Sequence, residues 1–226
     1  MNNQIEAIGL LAEPTRYRLY RCVIAAREPL SREEIAQQTG ISAANAKFHL
    51  EKLVTAELLA AEFRKPIDRS GPGSGRPTKL YKRNTRHRSV NLPPRRFELL
   101  SSLLADAISE SSRTKQSVTH TTRRLASDEG HLLGSQSDDD SDTRRLVSVL
   151  TSLGYEPRED NTHITLTNCP FHEIAETQRE LVCGLNLALV DGVIRGADCT
   201  HAAAALEPGF GRCCVTISPT TPADAR

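Results

Sequence analysis

LSREEIAQQTGISAANAKFHLEKL, residues 30–53, is the stretch whose reading decides the fold. Ser31, Arg32, Glu33 and Glu34 have the form of a capping box, in which the Ser31 hydroxyl accepts from the Glu34 backbone and the Glu34 carboxylate reaches back. Ile35 and Ala36 then face inward. Gly40 supplies a left-handed residue where that helix must end, Ile41 plugs the turn, and Ser42 caps a further helix with Ala46, Leu50 and Leu53 at core spacing. Upstream, Pro14 suits the first turn of a helix over about Glu13 to Ala26, with Leu19, Cys22, Val23 and Ala26 on one apolar stripe. Three helices in this order, the last two joined by a tight turn, predict a helix-turn-helix.

The helix after Ser42 places outward what a reader of duplex DNA requires. Ser42, Ala43 and Ala44 allow close approach, Asn45 suits an adenine edge or a phosphate, and Lys47, His49 and Lys52 suit backbone phosphates, with Phe48 among them. Leu58–Arg64 and Lys79–Lys82 read as paired strands around a Gly/Pro-rich hairpin tip, residues 65–78. Arg69 and Arg76 in that tip, and Lys79 at its base, are expected to reach phosphates or a narrow minor groove. Charge agrees. The whole chain has 29 Lys+Arg against 28 Asp+Glu, but residues 1–96 hold a net +9 and residues 97–226 a net −8. A basic segment joined to an acidic one points to a nucleic-acid-binding module fused to something that does not touch phosphate.

The remaining composition sets bounds. With 226 residues, 38% hydrophobic, five Phe, four Tyr and no Trp, the chain suits helix-rich packing on Ala and Leu. The longest mostly apolar run, Leu181 to Ile194, is broken by Asn186 and Asp191 and falls short of the roughly 20 residues that span a membrane. The start MNNQIEAIGL lacks the marks of a secretory signal, so a cytoplasmic protein is expected. In that compartment six Cys suggest buried thiols, metal ligands or redox chemistry before disulfides.

Phe97, Leu100, Leu104 and Ile108 recur at helical spacing between about Pro94 and Ser112, which predicts an amphipathic helix able to form a dimer seam. Residues 113–142, rich in Ser, Thr, Gly and Asp, read as a flexible linker. Beyond it, a helix over Thr143–Leu153, strands near 154–158 and 163–166, helices over 173–179 and 180–195, and strands near 198–206 and 212–218 predict a small α+β domain. Cys169, Cys183, Cys199 and Cys213 in that domain are separated by 13, 15 and 13 residues. Such long, even gaps suit ligands gathered from separate elements around one centre, as iron–sulfur clusters are held. A buried apolar set of thiols and a zinc site are the other readings, with His172 and His201 as substitute ligands. Alternation along the last strand puts Cys214 on the face opposite Cys213, Val215 and Ile217. An enzyme using Cys169 with His172 lacks a nucleophile elbow, a redox Cys pair or a phosphate loop, and none is expected.

LAEPTRYRLYRCVIAA, the 30–53 stretch with its following strand, and GRPTKLYKRN resemble the winged-helix domain of ArsR-type transcription regulators over residues 5–84. That resemblance implies a homodimer on a pseudo-palindromic duplex operator, without the Cys pair of metal-sensing members in the second helix. NCPFHEIAETQRELVCGLNLALVDGVI and GRCCVTI are similar to the C-terminal domain of SufR-like iron–sulfur repressors. Carried over, this implies a 4Fe–4S or 2Fe–2S cluster on Cys169, Cys183 and Cys213, with Cys199 as the fourth ligand. The expected architecture is mainly α with α+β. It comprises a winged helix-turn-helix domain (1–92), a dimerisation helix (93–112), a linker (113–142), a Cys-containing sensor domain (143–218) and a disordered tail (219–226). The function expected is cluster-controlled repression; a winged-helix regulator whose C-terminal domain binds a small molecule or only dimerises is the alternative.

Overall fold

The computed structural model describes residues 2–64, 77–86, 88–160 and 163–220, within two compact units, 1–90 and 91–226. The first unit contains α1 (Asn2–Gly9), a single 3-10 turn (Leu10–Ala12), α2 (Pro14–Ala25), β1 (Leu30–Ser31), α3 (Arg32–Thr39), α4 (Ala43–Thr55), β2 (Leu59–Arg64) and β3 (Thr78–Arg83). Glu13 caps α2: its carboxylate accepts the backbone N–H groups of Thr15 at 2.9 Å and Arg16 at 2.8 Å, which hold its pKa down to about 2. The capping box forms at Ser31, whose hydroxyl accepts from Glu34 N at 3.2 Å while the Glu34 carboxylate accepts from Ser31 N at 2.7 Å. Gly40, at φ 68°, closes α3. Leu19, Val23, Ile35, Ala46, Leu50, Leu53, Leu59 and Tyr81 make the core, with Cys22 half-buried at its edge. The sheet is antiparallel in the order β1-β3-β2, with Leu59 opposite Arg83 and Arg64 opposite Thr78. These two long strands are the expected wing strands.

The second unit runs α5 (Phe97–Thr114), α6 (Val118–Ser135), α7 (Asp142–Ser152), β4 (Pro157–Glu159), β5 (Ile164–Leu166), α8 (His172–Thr177), α9 (Arg179–Gly196), β6 (Ala202–Leu206) and β7 (Val215–Pro219). Its strands form one antiparallel sheet, β4-β5-β7-β6. The stretch expected as a linker holds α6 instead. What α6 buries is Thr121, Thr122, Ala126, Gly130 and Gly134, a face of small residues on which no apolar periodicity appears. It lies against α9, which answers with Gly192 and Gly196. A Cβ built on Gly130 would sit 2.1 Å from the Leu189 carbonyl oxygen, and one on Gly196 would sit 2.1 Å from that of His131. Backbone therefore meets backbone along the crossing, and dispersion contacts replace the side-chain interdigitation of an ordinary helix pair.

Three further expectations change. On α5 the buried positions are Leu100, Leu103, Ala107 and Ser111, facing the core of their own unit, while Ile108 is 55% exposed. The Ser111 hydroxyl donates to Thr121 Oγ1 at 3.2 Å, tying α5 to α6. α5, α6 and the Cys-bearing elements thus fall in one unit rather than three segments. Pro219, expected to lie in the tail, pairs instead with Ala202 at the end of β7; residues 221–226 lie outside the described residues.

Replacing Gly by Ala inside a helix ordinarily stabilises by up to about 1 kcal/mol. Gly192→Ala and Gly196→Ala are expected to destabilise by at least about 2 kcal/mol each, because the added methyl meets immovable backbone. Gly9→Ala, where nothing lies within 4 Å, should be near neutral. Urea titration of the three variants measures this.

Candidate nucleic-acid interface and thiol site

α4 projects Ala44, Asn45, Lys47, Phe48 and Lys52 to solvent, on the side opposite Ala46, Leu50 and Leu53. Ser42 stays exposed and caps the helix, accepting from Asn45 N at 3.4 Å. Phe48 is 55% exposed, with the Lys52 ammonium 4.4 Å over its ring. Lys47, Phe48 and Lys52 also line a groove of about 720 Å³ whose other wall is Glu6, Ala7 and Leu10 of the N-terminal turns. Two expected outward residues face elsewhere. Ala43 is half-buried, and His49 is largely buried with Nδ1 3.5 Å from the Glu13 carboxylate, because position 49 lies beside the Ala46–Leu53 core stripe. Lys79 is engaged within the unit: its ammonium donates to Glu51 at 2.7 Å, and the buried Tyr81 hydroxyl donates to the same carboxylate at 2.8 Å. Burial and this carboxylate push the Tyr81 phenol up. Arg69 and Arg76 lie outside the described residues.

In the second unit Cys169 follows β5, Cys183 sits in the second turn of α9, and Cys213 and Cys214 immediately precede β7. Cys213 is the centre of the group. Cys169 and Cys214 hydrogen-bond to it, the Val215 backbone and the Asn186 amide donate to it, the last at 3.1 Å, and its thiol is held far below the ordinary range. Cys169 and Cys214 are pushed upward by the same contacts and by burial, and Cys183 adjoins Cys214. Asn186, fully buried in α9, accepts in turn from the buried Tyr155 hydroxyl. The four sulfurs line one cleft of about 810 Å³ together with Arg95, Arg179 and Arg212. Arg95 is fixed there by Asn168 Oδ1 at 2.8 Å and Glu173 at 2.9 Å.

Cys199 is not in this group. It lies between α9 and β6 beside Asp142 and His201, and Cys214 stands in the place expected for it. Strand alternation fails at Cys213 and Cys214 because β7 begins only at Val215, and the bend before it turns both side chains to the cleft. His172 lines the same cleft but is 58% exposed, with Nε2 3.5 Å from Glu176, while the Cys169 thiol engages Cys213.

Residues 11–61 match the family described as helix-turn-helix domain, a span that takes in α2, α3 and α4 entire. This segment is a helix-turn-helix domain. The match supports a DNA-binding transcription regulator of the winged-helix type. No curated protein and no solved structure matches the chain. Among the described residues, no helix is long and apolar enough to cross a membrane.

The helix-turn-helix surface predicts a graded salt response. Lys47→Ala and Lys52→Ala should each weaken duplex binding across sequences and lower the slope of log K against log salt by about 1. Lys79→Ala, its charge already spent on Glu51, should leave that slope nearly unchanged; fluorescence anisotropy at several salt concentrations tests all three. In the thiol site, Asn186→Leu and Tyr155→Phe each break a buried hydrogen bond and should cost about 1–3 kcal/mol. The double variant should lose less than their sum, a coupling that a denaturation cycle reads directly.

Proposed function

We propose that this chain is a homodimeric repressor that grips a pseudo-palindromic operator through α4 and the β2–β3 wing, under control of an iron–sulfur cluster bound in the second unit. The observation that carries the cluster reading is the convergence of Cys169, Cys183, Cys213 and Cys214 on one arginine-lined cleft.

The donor set fits such a group. Four thiols in one cleft, with only the exposed Glu176 as a carboxylate beside them among the described residues, favour soft, thiophilic metal centres over calcium or magnesium. Arg95, Arg179 and Arg212 around them supply positive charge that offsets an anionic thiolate centre. Cys169, Cys183, Cys213 and Cys214 are the residues that would hold such a group, as thiolates. When bound, the cluster supplies a linkage that responds to oxidation and to iron supply. The residues themselves come from three elements: the turn after β5, the body of α9 and the bend before β7. Holding their sulfurs together fixes those elements against one another, and releasing them frees the bend 207–214.

On the DNA side, Ala44 permits close approach of α4 to the major groove, Asn45 addresses a base edge, Phe48 offers an apolar face to a thymine methyl, and Lys47 and Lys52 meet phosphates. Two such heads on one operator require half-sites about one helical turn apart.

Anaerobic purification followed by iron analysis and a visible absorbance scan tests the reading. A coloured, iron-bearing protein is expected, with colour lost in Cys169→Ser, Cys183→Ser and Cys213→Ser, sharply reduced in Cys214→Ser and retained in Cys199→Ser. Operator affinity should change by at least about tenfold between loaded and stripped protein, the coupling typical of allosteric regulators. A colourless, iron-free chain under conditions that preserve labile clusters overturns the cluster control and leaves the helix-turn-helix assignment standing.

A further inference from the structure

The thiol left out of the cleft has its own surroundings. Cys199 is 2% exposed, and its sulfur lies 3.6 Å from His201 Nε2. On the other side of the same imidazole, Nδ1 is 3.3 Å from Asp142 Oδ2. Asp142 starts α7, and its second oxygen is held by Thr143 N at 2.7 Å, so the carboxylate is oriented before any ligand arrives. One ligand atom from each of Asp142, Cys199 and His201 falls within 4.8 Å of the other two.

We propose that Asp142, Cys199 and His201 form a second metal site, for a borderline divalent ion of the zinc class, separate from the four-thiol cleft.

The spacing carries this. A tetrahedral ion with bonds of about 2.3 Å to sulfur and about 2.0–2.1 Å to nitrogen or oxygen sets its ligand atoms about 3.6 Å apart for sulfur and nitrogen, and about 3.3–3.4 Å for nitrogen and oxygen. The Cys199 sulfur and His201 Nε2 stand at the first of these separations; the Asp142 oxygen is 3.3 Å from the other ring nitrogen, Nδ1, and one ligand atom from each of the three residues falls within 4.8 Å of the other two. A thiolate, an imidazole and a carboxylate together select zinc-like ions over magnesium or calcium, which take oxygen alone. Three protein ligands would leave the fourth position of a tetrahedral ion open, and Cys199 and His201 line a cavity of about 260 Å³ together with Glu159, Asp160 and His163. The site joins the start of α7 to the α9–β6 connection. It does not rest on the cluster reading, and its ligands do not overlap with that set.

Cobalt(II), a spectroscopic stand-in for zinc, tests it on the full reduced chain, freed of metal and kept anaerobic. Wild type should show tetrahedral cobalt bands with a thiolate-to-cobalt charge-transfer band, and added zinc should displace them. His201→Gln and Cys199→Ser should each remove one equivalent of that signal, and Asp142→Asn should weaken it by about 10–100-fold. Cys213→Ser/Cys214→Ser should retain it. His201 and Asp142 are 59% and 34% exposed in their side chains, so His201→Gln and Asp142→Asn are expected to fold normally, which circular dichroism checks. Should the Cys213→Ser/Cys214→Ser chain fail to fold, the His201→Gln result in the wild-type background decides. Unchanged stoichiometry and spectrum in His201→Gln and Asp142→Asn overturn the proposal, as does a signal lost only with Cys213. A colourless chain that still binds cobalt through His201 would refute the cluster and leave this site intact.

Discussion

The second unit hangs on the place where α6 and α9 touch without side chains between them. Gly130 and Gly134 on one helix, Gly192 and Gly196 on the other, bring carbonyls within 2.1–2.5 Å of where a methyl would stand. α9 carries part of both sites: Cys183 and Asn186 in its body, and the Cys199 connection at its end. A widened crossing would shift α9 bodily and uncouple the Tyr155, Asn186 and Cys213 chain from its partners. Close packing of backbone is unforgiving in this way, since no rotamer change relieves it.

The thiol cleft shows how little charge four neighbouring sulfurs hold by themselves. Hydrogen bonds from Cys169 and Cys214 pull the Cys213 thiol down, and the same contacts, with burial, push Cys169 and Cys214 up. Like charges packed this closely are not ionised together without a cation to offset them. The Asn186 amide, satisfied on its other side by Tyr155, adds a donor to the Cys213 sulfur at 3.1 Å.

Much of the first unit was legible in the sequence because its signals are local. The capping box at Ser31, the left-handed Gly40 and the Ser42 cap act within four residues, and each forms at its expected position. α6 was not legible, since its buried face is Thr, Ala and Gly, the composition of a linker; what makes it a helix is the matching glycine pair about 60 residues downstream. That Cys214, rather than Cys199, shares the cleft with the other three thiols was hidden for a related reason. Alternation applies inside a strand, and Cys214 lies one residue before β7 starts. His49 and Lys79 look like phosphate ligands in sequence, but Glu13 and Glu51, from elements distant in sequence, claim them. Tertiary partners of that kind leave no trace in spacing.

The Glu51 carboxylate, shared by Lys79 and the buried Tyr81 hydroxyl, bolts the middle of α4 to strand β3. Helix α4 and strand β3 thereby move as one piece: α4 cannot tilt without dragging β3 along. On the proposed dimer, a signal that alters DNA affinity moves each head as a whole, changing the distance or angle between the two heads rather than the grip of either. Control of that kind scales the occupancy of every operator while leaving the preferred base sequence untouched.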